Sequence, residues 1–187
     1  MKTICAYIRI YKIKKTMIST ILILLNFLMP TPPKNVYDFS FKTIDGKEVK
    51  LSKFKGKKIL IVNTASKCGF TPQYEDLEKL QKQYGKKVVL IGFPAGNFGG
   101  QEFSTNAEIK EFCTGKYNVS FLMAEKTSVK GDDISPLFKY LTSQTNTEEQ
   151  GDIKWNFEKF LVNEKGELVH RFRSKTKPMD EVIVKNL

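Results

Sequence analysis

With 187 residues, 41% hydrophobic and 12% aromatic, the chain can bury one ordinary globular core and still carry an N-terminal extension. A formal charge of +11 would suit nucleic acid, but six of the basic residues (Lys2, Arg9, Lys12, Lys14, Lys15 and Lys34) fall before position 35, where no acid occurs. The other lysines are interleaved with Glu and Asp, which describes a generic basic surface rather than a nucleic-acid groove.

Residues 1–34 read as a targeting or anchor segment outside the fold. The basic stretch MKTICAYIRIYKIKK precedes an apolar run from Met17 to Met29, and PTPPK then cannot continue a helix. The run is short for a membrane span, no small-x-small cleavage site follows it, and Cys5 precedes it, the wrong side for lipid attachment. An exported or membrane-anchored protein is expected, with membrane association through residues 17–29. The alternative is a true start at Met17 or later, and then a cytoplasmic protein.

Residues 35–187 carry the pattern of an α/β domain. VYDFSFKTIDGKEVKL alternates around Asp45 and Gly46, the signature of a β-hairpin. KILIVN, ending at Asn63, is a continuous apolar run suited to a central strand buried on both faces. After it comes NTASKCGFTPQYEDL, in which Thr71 is predicted as N-cap and Pro72 as part of the first helical turn. Tyr74, Leu77, Leu80 and Tyr84 recur at helical spacing, and Gly85 can close that helix. VVLIGFP from Val88 is a second buried strand, so strand, helix and strand give a right-handed parallel crossover. Thr105 and Glu108 form a capping box for a helix with Ile109, Phe112 and Cys113 on one side. A further helix is predicted from Ser135 to Leu141, a hairpin around Lys165 and Gly166, and a terminal helix in MDEVIVKNL. This order of elements is thioredoxin-like: a mixed sheet flanked by helices behind an N-terminal hairpin.

Two cysteines belong to the domain. Cys68 lies where a buried strand gives way to a helix, a place where backbone N–H groups and the helix dipole favour a thiolate. Its loop offers no evident apolar packing role, so it reads as the reactive thiol. Cys113 has apolar neighbours in Phe112 and Ile109, and periodicity alone leaves open whether it is a small core residue or a second reactive group. No C-x-x-C, C-x-x-H or H-E-x-x-H occurs, and His170 is the only histidine, so neither a metal site nor a bound cofactor is expected.

Three blocks, NTASKCGFTPQYEDLEKL, FPAGNFGGQEF and KWNFEKFLVNEKGELV, together resemble the signature blocks of the glutathione peroxidase family in its cysteine form, in the family's order and spacing. The resemblance implies a thioredoxin fold and a peroxidase that reduces hydrogen peroxide and organic or lipid hydroperoxides. It places the peroxidatic residue on Cys68 and its partners on Gln101, Trp155 and Asn156. These three are neutral N–H donors, able to stabilise charge as it moves from sulfur to the leaving oxygen without adding an acid of fixed pKa. EIKEFC, from Glu108, is similar to the helix block in which many non-animal relatives carry a resolving cysteine, which assigns that role to Cys113. The implied co-substrate is a thioredoxin-type thiol, with glutathione as the alternative.

The sequence departs from the family pattern at Gly96, Phe103 and Leu122, without removing a predicted donor. The short segment between Leu141 and Trp155 lacks the insertion through which tetrameric relatives associate, implying a monomer or weak dimer, and lacks their clustered arginines. Rival classes fit less well. A disulfide reductase would need a cysteine where Thr71 stands, and a peroxiredoxin would need P-x-x-x-T-x-x-C, whereas Thr64 lies four residues before Cys68. The remaining alternative is a redox relay, in which oxidised Cys68 passes its disulfide to a partner protein.

Overall fold

The computed structural model describes residues 32–187, so nearly all of the expected targeting segment lies outside the described residues. Among the described residues, no helix is long and apolar enough to cross a membrane.

Gly46 takes φ 79, a left-handed backbone that glycine adopts at little cost, and turns Ser40–Lys42 (β1) antiparallel onto Glu48–Lys50 (β2). The apolar run then forms Lys58–Thr64 (β3), buried from its second residue onward. Gln73–Tyr84 (α1) carries the chain back to Val88–Pro94 (β4), which pairs parallel with β3 from Lys58 opposite Val88 to Thr64 opposite Pro94. Asn106–Tyr117 (α2) leads to a two-residue strand, Leu122–Met123 (β5), parallel to β4. After Pro136–Ser143 (α3), Lys159–Val162 (β6) runs antiparallel beside β3, and Leu168–Phe172 (β7) folds back antiparallel on β6. Glu181–Val184 (α4) ends the fold. The sheet order β5-β4-β3-β6-β7 is that of a thioredoxin-like mixed sheet.

Side-chain alternation on β3 divides the core. Ile59 and Ile61 join Phe93, Phe138 and Phe160 on the face covered by α3, while Leu60 and Val62 join Leu77, Leu80, Ile109 and Phe157 on the face covered by α1 and α2. Each such side chain, wholly withdrawn from water, contributes about 1.5–3 kcal/mol.

One local expectation is corrected. Pro72, not Thr71, is the N-cap of α1, and the helix begins at Gln73 without a side-chain cap. Thr71 is buried and turned back toward the preceding loop, where hydrogen bonds hold its hydroxyl. Gly85 does stand at the C-cap of α1, but with ordinary helical backbone, φ −61, so the left-handed freedom of glycine is not used there. At α2 the predicted capping box forms in both directions between Thr105 and Glu108, and the helix closes on Asn118 in the left-handed region.

Candidate active site

Cys68 follows the C-terminal end of β3, in the turn that starts α1. Its own N–H donates to Thr71 Oγ1 (2.9 Å), and the Thr71 hydroxyl donates to the Ala65 carbonyl (2.8 Å), which pins both sides of the loop. The Phe70 N–H donates to Cys68 Sγ at 3.4 Å, so a backbone dipole is aimed at the sulfur. The sequence reading of a loop without apolar packing is corrected: Cys68 is 8% exposed and belongs to the apolar cluster of Leu60, Val62 and Phe157.

The other residues reach the same end of the sheet by different routes. β4 is parallel to β3, so its following loop emerges beside that of Cys68. Gly99 (φ 65) and Gly100 (φ 63) then take consecutive left-handed steps, a turn costly to residues with a Cβ. They deliver Gln101, whose carbonyl accepts from the Lys67 N–H at 2.9 Å. β6 is antiparallel to β3, so the residues just before it, Trp155 and Asn156, arrive at that end as well.

Asn63, the polar residue closing the apolar run, holds this third segment. Its Nδ2 donates to the Trp155 carbonyl (3.1 Å), its Oδ1 accepts from the Glu158 N–H (3.0 Å), and its carbonyl accepts from the Phe157 N–H (2.6 Å). Between these anchors Phe157 is forced to φ 64, a left-handed backbone uncommon for a bulky residue, while its ring packs edge-on against Tyr74. Asn156 is thereby buried with Nδ2 donating to Gln101 Oε1 at 3.1 Å. With its oxygen engaged, the Gln101 carboxamide keeps both of its own N–H groups for another acceptor. Trp155 is 40% exposed and leans on Phe98, ring centroids 5.6 Å apart, which rules out an ordinary core aromatic.

Charged residues that sequence pattern assigns to the surface support this end from within. Glu158, fully buried, accepts both Nε (3.0 Å) and Nη2 (2.9 Å) of Arg171, also accepts from Arg173, and takes the Lys154 N–H on Oε1 at 2.6 Å. The segment that carries Trp155 is thus tied at both ends. Burial depresses the Arg171 guanidinium, and the Glu158 carboxylate opposes that shift. Glu102, also buried, accepts from the Ser66 and Phe103 N–H groups, and desolvation raises its pKa. Neither glutamate emerges from sequence reasoning about the site, although Glu102 stands in the same block as Gln101 and Glu158 in the same block as Asn156. Lys159 is buried too, its ammonium donating to Gln73 Oε1 and the Thr176 carbonyl, and desolvation brings its pKa down to about 7.

Cys113 lies on the inner side of α2, 1% exposed, in the same apolar cluster as Cys68, and neither thiol is in a disulfide. Burial pushes its pKa up to about 11, partly offset by the neighbouring Tyr74 hydroxyl. Tyr74 is itself enclosed, and desolvation raises its pKa well above the ordinary tyrosine value. Because a thiolate alkylates and a thiol does not, the rate at which iodoacetamide modifies Cys113 is expected to climb about tenfold per pH unit beyond pH 9, where a cysteine of the ordinary value 9.0 flattens. Peptide mapping separates it from Cys5 and Cys68, and a plateau at pH 9 would contradict a buried seat. Among the described residues no cluster of three or more His, Cys, Asp or Glu could hold a metal ion.

A thiol at the C-terminal end of a central strand, in the turn opening a helix of this fold, defines a thiol oxidoreductase of the thioredoxin class. Residues 36–142 match the family model for glutathione peroxidase. The chain is 45% identical over 156 residues to the glutathione peroxidase of Lactococcus lactis subsp. cremoris, covering 82% of this chain and 99% of the relative. It is 46% identical over 154 residues to a hydroperoxy fatty acid reductase of Synechocystis, covering 79% and 90%. The crystal structure of Trgpx in apo form superposes with a TM-score of 0.63 at 36% identity, covering 81% of this chain and 94% of that one. This chain therefore belongs to the glutathione peroxidase family, and it is a peroxidase.

Proposed function

We propose that Cys68 is the peroxidatic residue and that Gln101, Trp155 and Asn156 stabilise the leaving oxygen. The Cys68 thiolate attacks one peroxide oxygen. A sulfur–oxygen bond forms as the O–O bond breaks, giving a sulfenic acid, and the displaced hydroxide or alkoxide takes up a proton. Sulfur is oxidised by two electrons and the peroxide is reduced by two. The 3.1 Å hydrogen bond from Asn156 to Gln101, formed at the same end of the sheet as the Cys68 loop, is the observation that carries this reading. Gln101→Ala and Asn156→Ala are each expected to slow peroxide reduction by roughly 10²-fold, as the loss of one oxyanion donor does elsewhere. Stopped-flow consumption of hydrogen peroxide measures this, and unchanged rates in both variants would remove the donors from the mechanism.

Cys113 is the resolving cysteine in this scheme. Its thiol displaces water from the Cys68 sulfenic acid and forms a disulfide, which a thioredoxin-type dithiol then reduces. Cys113 is 1% exposed, so α2 opens to bring its thiol to the oxidised Cys68 with the close Cα approach that a disulfide needs. Its packing supports that: of its residues only Ile109 and Cys113 are buried, so local unfolding exposes little apolar surface. Substrates are hydrogen peroxide and organic or lipid hydroperoxides, and the enzyme works as a monomer. Residues 1–34 export or anchor it, with cytoplasmic residence if translation starts later; N-terminal sequencing of the mature protein decides between them. Peroxide consumption is to be followed with thioredoxin and with glutathione in parallel. Sustained turnover with thioredoxin supports the scheme, and a single stoichiometric burst with either thiol supports a redox relay instead.

A further inference from the structure

The end of the sheet opposite Cys68 gathers lysines. The register of β3 on β4 sets Lys58 opposite Val88, which brings Lys57 beside Lys87 and Lys86. The Gly56 N–H donates to the Glu164 carbonyl, placing Lys55 and Lys57 against the turn that carries Lys165. The Val36 N–H donates to the Gly166 carbonyl at 3.0 Å, and Lys34 enters the domain at that same turn. Lys34, Lys55, Lys57, Lys86, Lys87 and Lys165 are all exposed, and none of them forms an ion pair among the described residues. The acids in the segments that carry these lysines are Asp38, Glu164 and Glu167. Asp38 is engaged by the Lys34 N–H and Glu167 by Asn163, which leaves six cations against three anions.

The chain also dictates what lies near this pole. The apolar run closes at Met29, five residues before Lys34, and that length of chain reaches at most about 18 Å. The chain between them therefore keeps Met29 within that distance of Lys34. The Lys12, Lys14 and Lys15 cluster precedes the same run. The aromatic side chains among these lysines, Phe54, Tyr84 and Tyr140, are half-buried, and among the described residues the large, fully exposed apolar side chains are Trp155 and Val182, so no open platform for stacking bases lies at this pole.

We propose that this lysine pole is a docking surface for anionic lipid headgroups, seating the domain on a membrane with its Cys68 end turned toward solution. β3 spans Lys58–Thr64, so the two poles are about 20 Å apart. The consequence for substrate rests on the peroxidase assignment of Cys68: hydrogen peroxide and organic or fatty-acid hydroperoxides that have left the bilayer reach the site from the aqueous side, where a protein reductant also has access. The docking surface itself does not depend on that assignment.

The test uses the full chain with phosphatidylcholine vesicles, with and without phosphatidylglycerol. Each lysine near such a surface contributes about fivefold in partition, so the triple variant Lys57→Glu, Lys87→Glu and Lys165→Glu is expected to bind phosphatidylglycerol vesicles at least about 100-fold more weakly. Binding of the same variant to phosphatidylcholine alone stays at the wild-type level, and salt weakens only the difference between the two lipids. Trp155, the single tryptophan, marks the opposite pole, and brominated lipids are expected to leave its emission unquenched in the bound protein. Equal vesicle binding by variant and wild type overturns the proposal. So does quenching of Trp155, and so does a loss in the variant of RNA oligonucleotide binding but not of vesicle binding. Peroxide consumption in solution is measured on both proteins: retained activity shows that the variant folds, and an inactive wild type would count against the role of Cys68 while leaving the vesicle result valid.

Discussion

Cys68→Ser is expected to lower peroxide reduction by more than about 10⁴-fold, the scale of loss when a nucleophile is removed from a working site. A serine hydroxyl is not ionised at neutral pH and does not yield the oxidised sulfur on which the cycle depends. The substitution is small in every other respect. The side chain is 8% exposed and accepts one backbone N–H, from Phe70, which an oxygen can also accept. The Thr71 clasp on the loop uses the main chain of residue 68 and survives the change. Thermal stability is therefore expected to stay within about 1 kcal/mol of wild type, and this separates a chemical defect from a folding one. Normal peroxide consumption by the folded variant would refute the assignment.

Cys113→Ser is expected to leave the first turnover intact and to stop the cycle after it. In the wild-type protein one equivalent of peroxide removes two titratable thiols, because the sulfenic acid condenses with Cys113 and releases water. In the variant it removes one, and steady consumption driven by thioredoxin falls to background. Both quantities come from one sample, by thiol titration after a peroxide pulse and by the coupled assay. Continued cycling with thioredoxin would reduce Cys113 to a core residue. Its position fits that description as well, since it is 1% exposed among Leu77, Leu80 and Phe121.

Much of the fold is legible in the sequence because local and global preferences agree. KILIVN and VVLIGFP have the continuous apolar character of strands covered on both faces, and both are central in the sheet. The capping box at Thr105 and the glycine turns at Gly46 and Gly166 are short-range signals and fall where expected. β5 escapes notice because two residues are too few for any periodicity, and its place beside β4 comes from tertiary pairing. Thr71 misleads because a hydroxyl two residues before a helix has two possible sets of partners, and only the folded loop reveals that Cys68 and Ala65 provide them. Glu102, Glu158, Lys159 and Arg171 are hidden more thoroughly. Charge in a sequence reads as surface, and their burial depends on partners far away along the chain. Asn63 is the informative exception: a polar residue closing a wholly apolar strand has to be satisfied by something, and it is the clamp on the segment from Trp155 to Glu158.

The left-handed turn at Phe157 gives that clamp a wider meaning. Such a backbone costs a residue with a Cβ about 1–3 kcal/mol, and here the surroundings hold it in place. On one side of the kink a carboxamide is handed to Gln101, and on the other a carboxylate is handed to Arg171. The contact that fixes Gln101 and the buried ion pair thus flank one residue. Glycine at 157 would relax the bend but forfeit the ring against Tyr74, and a β-branched residue would tighten it further. A substitution at Phe157 is therefore expected to disturb the Asn156 contact with Gln101 and the melting temperature together, because Asn63 and Tyr74 hold the same bend in place.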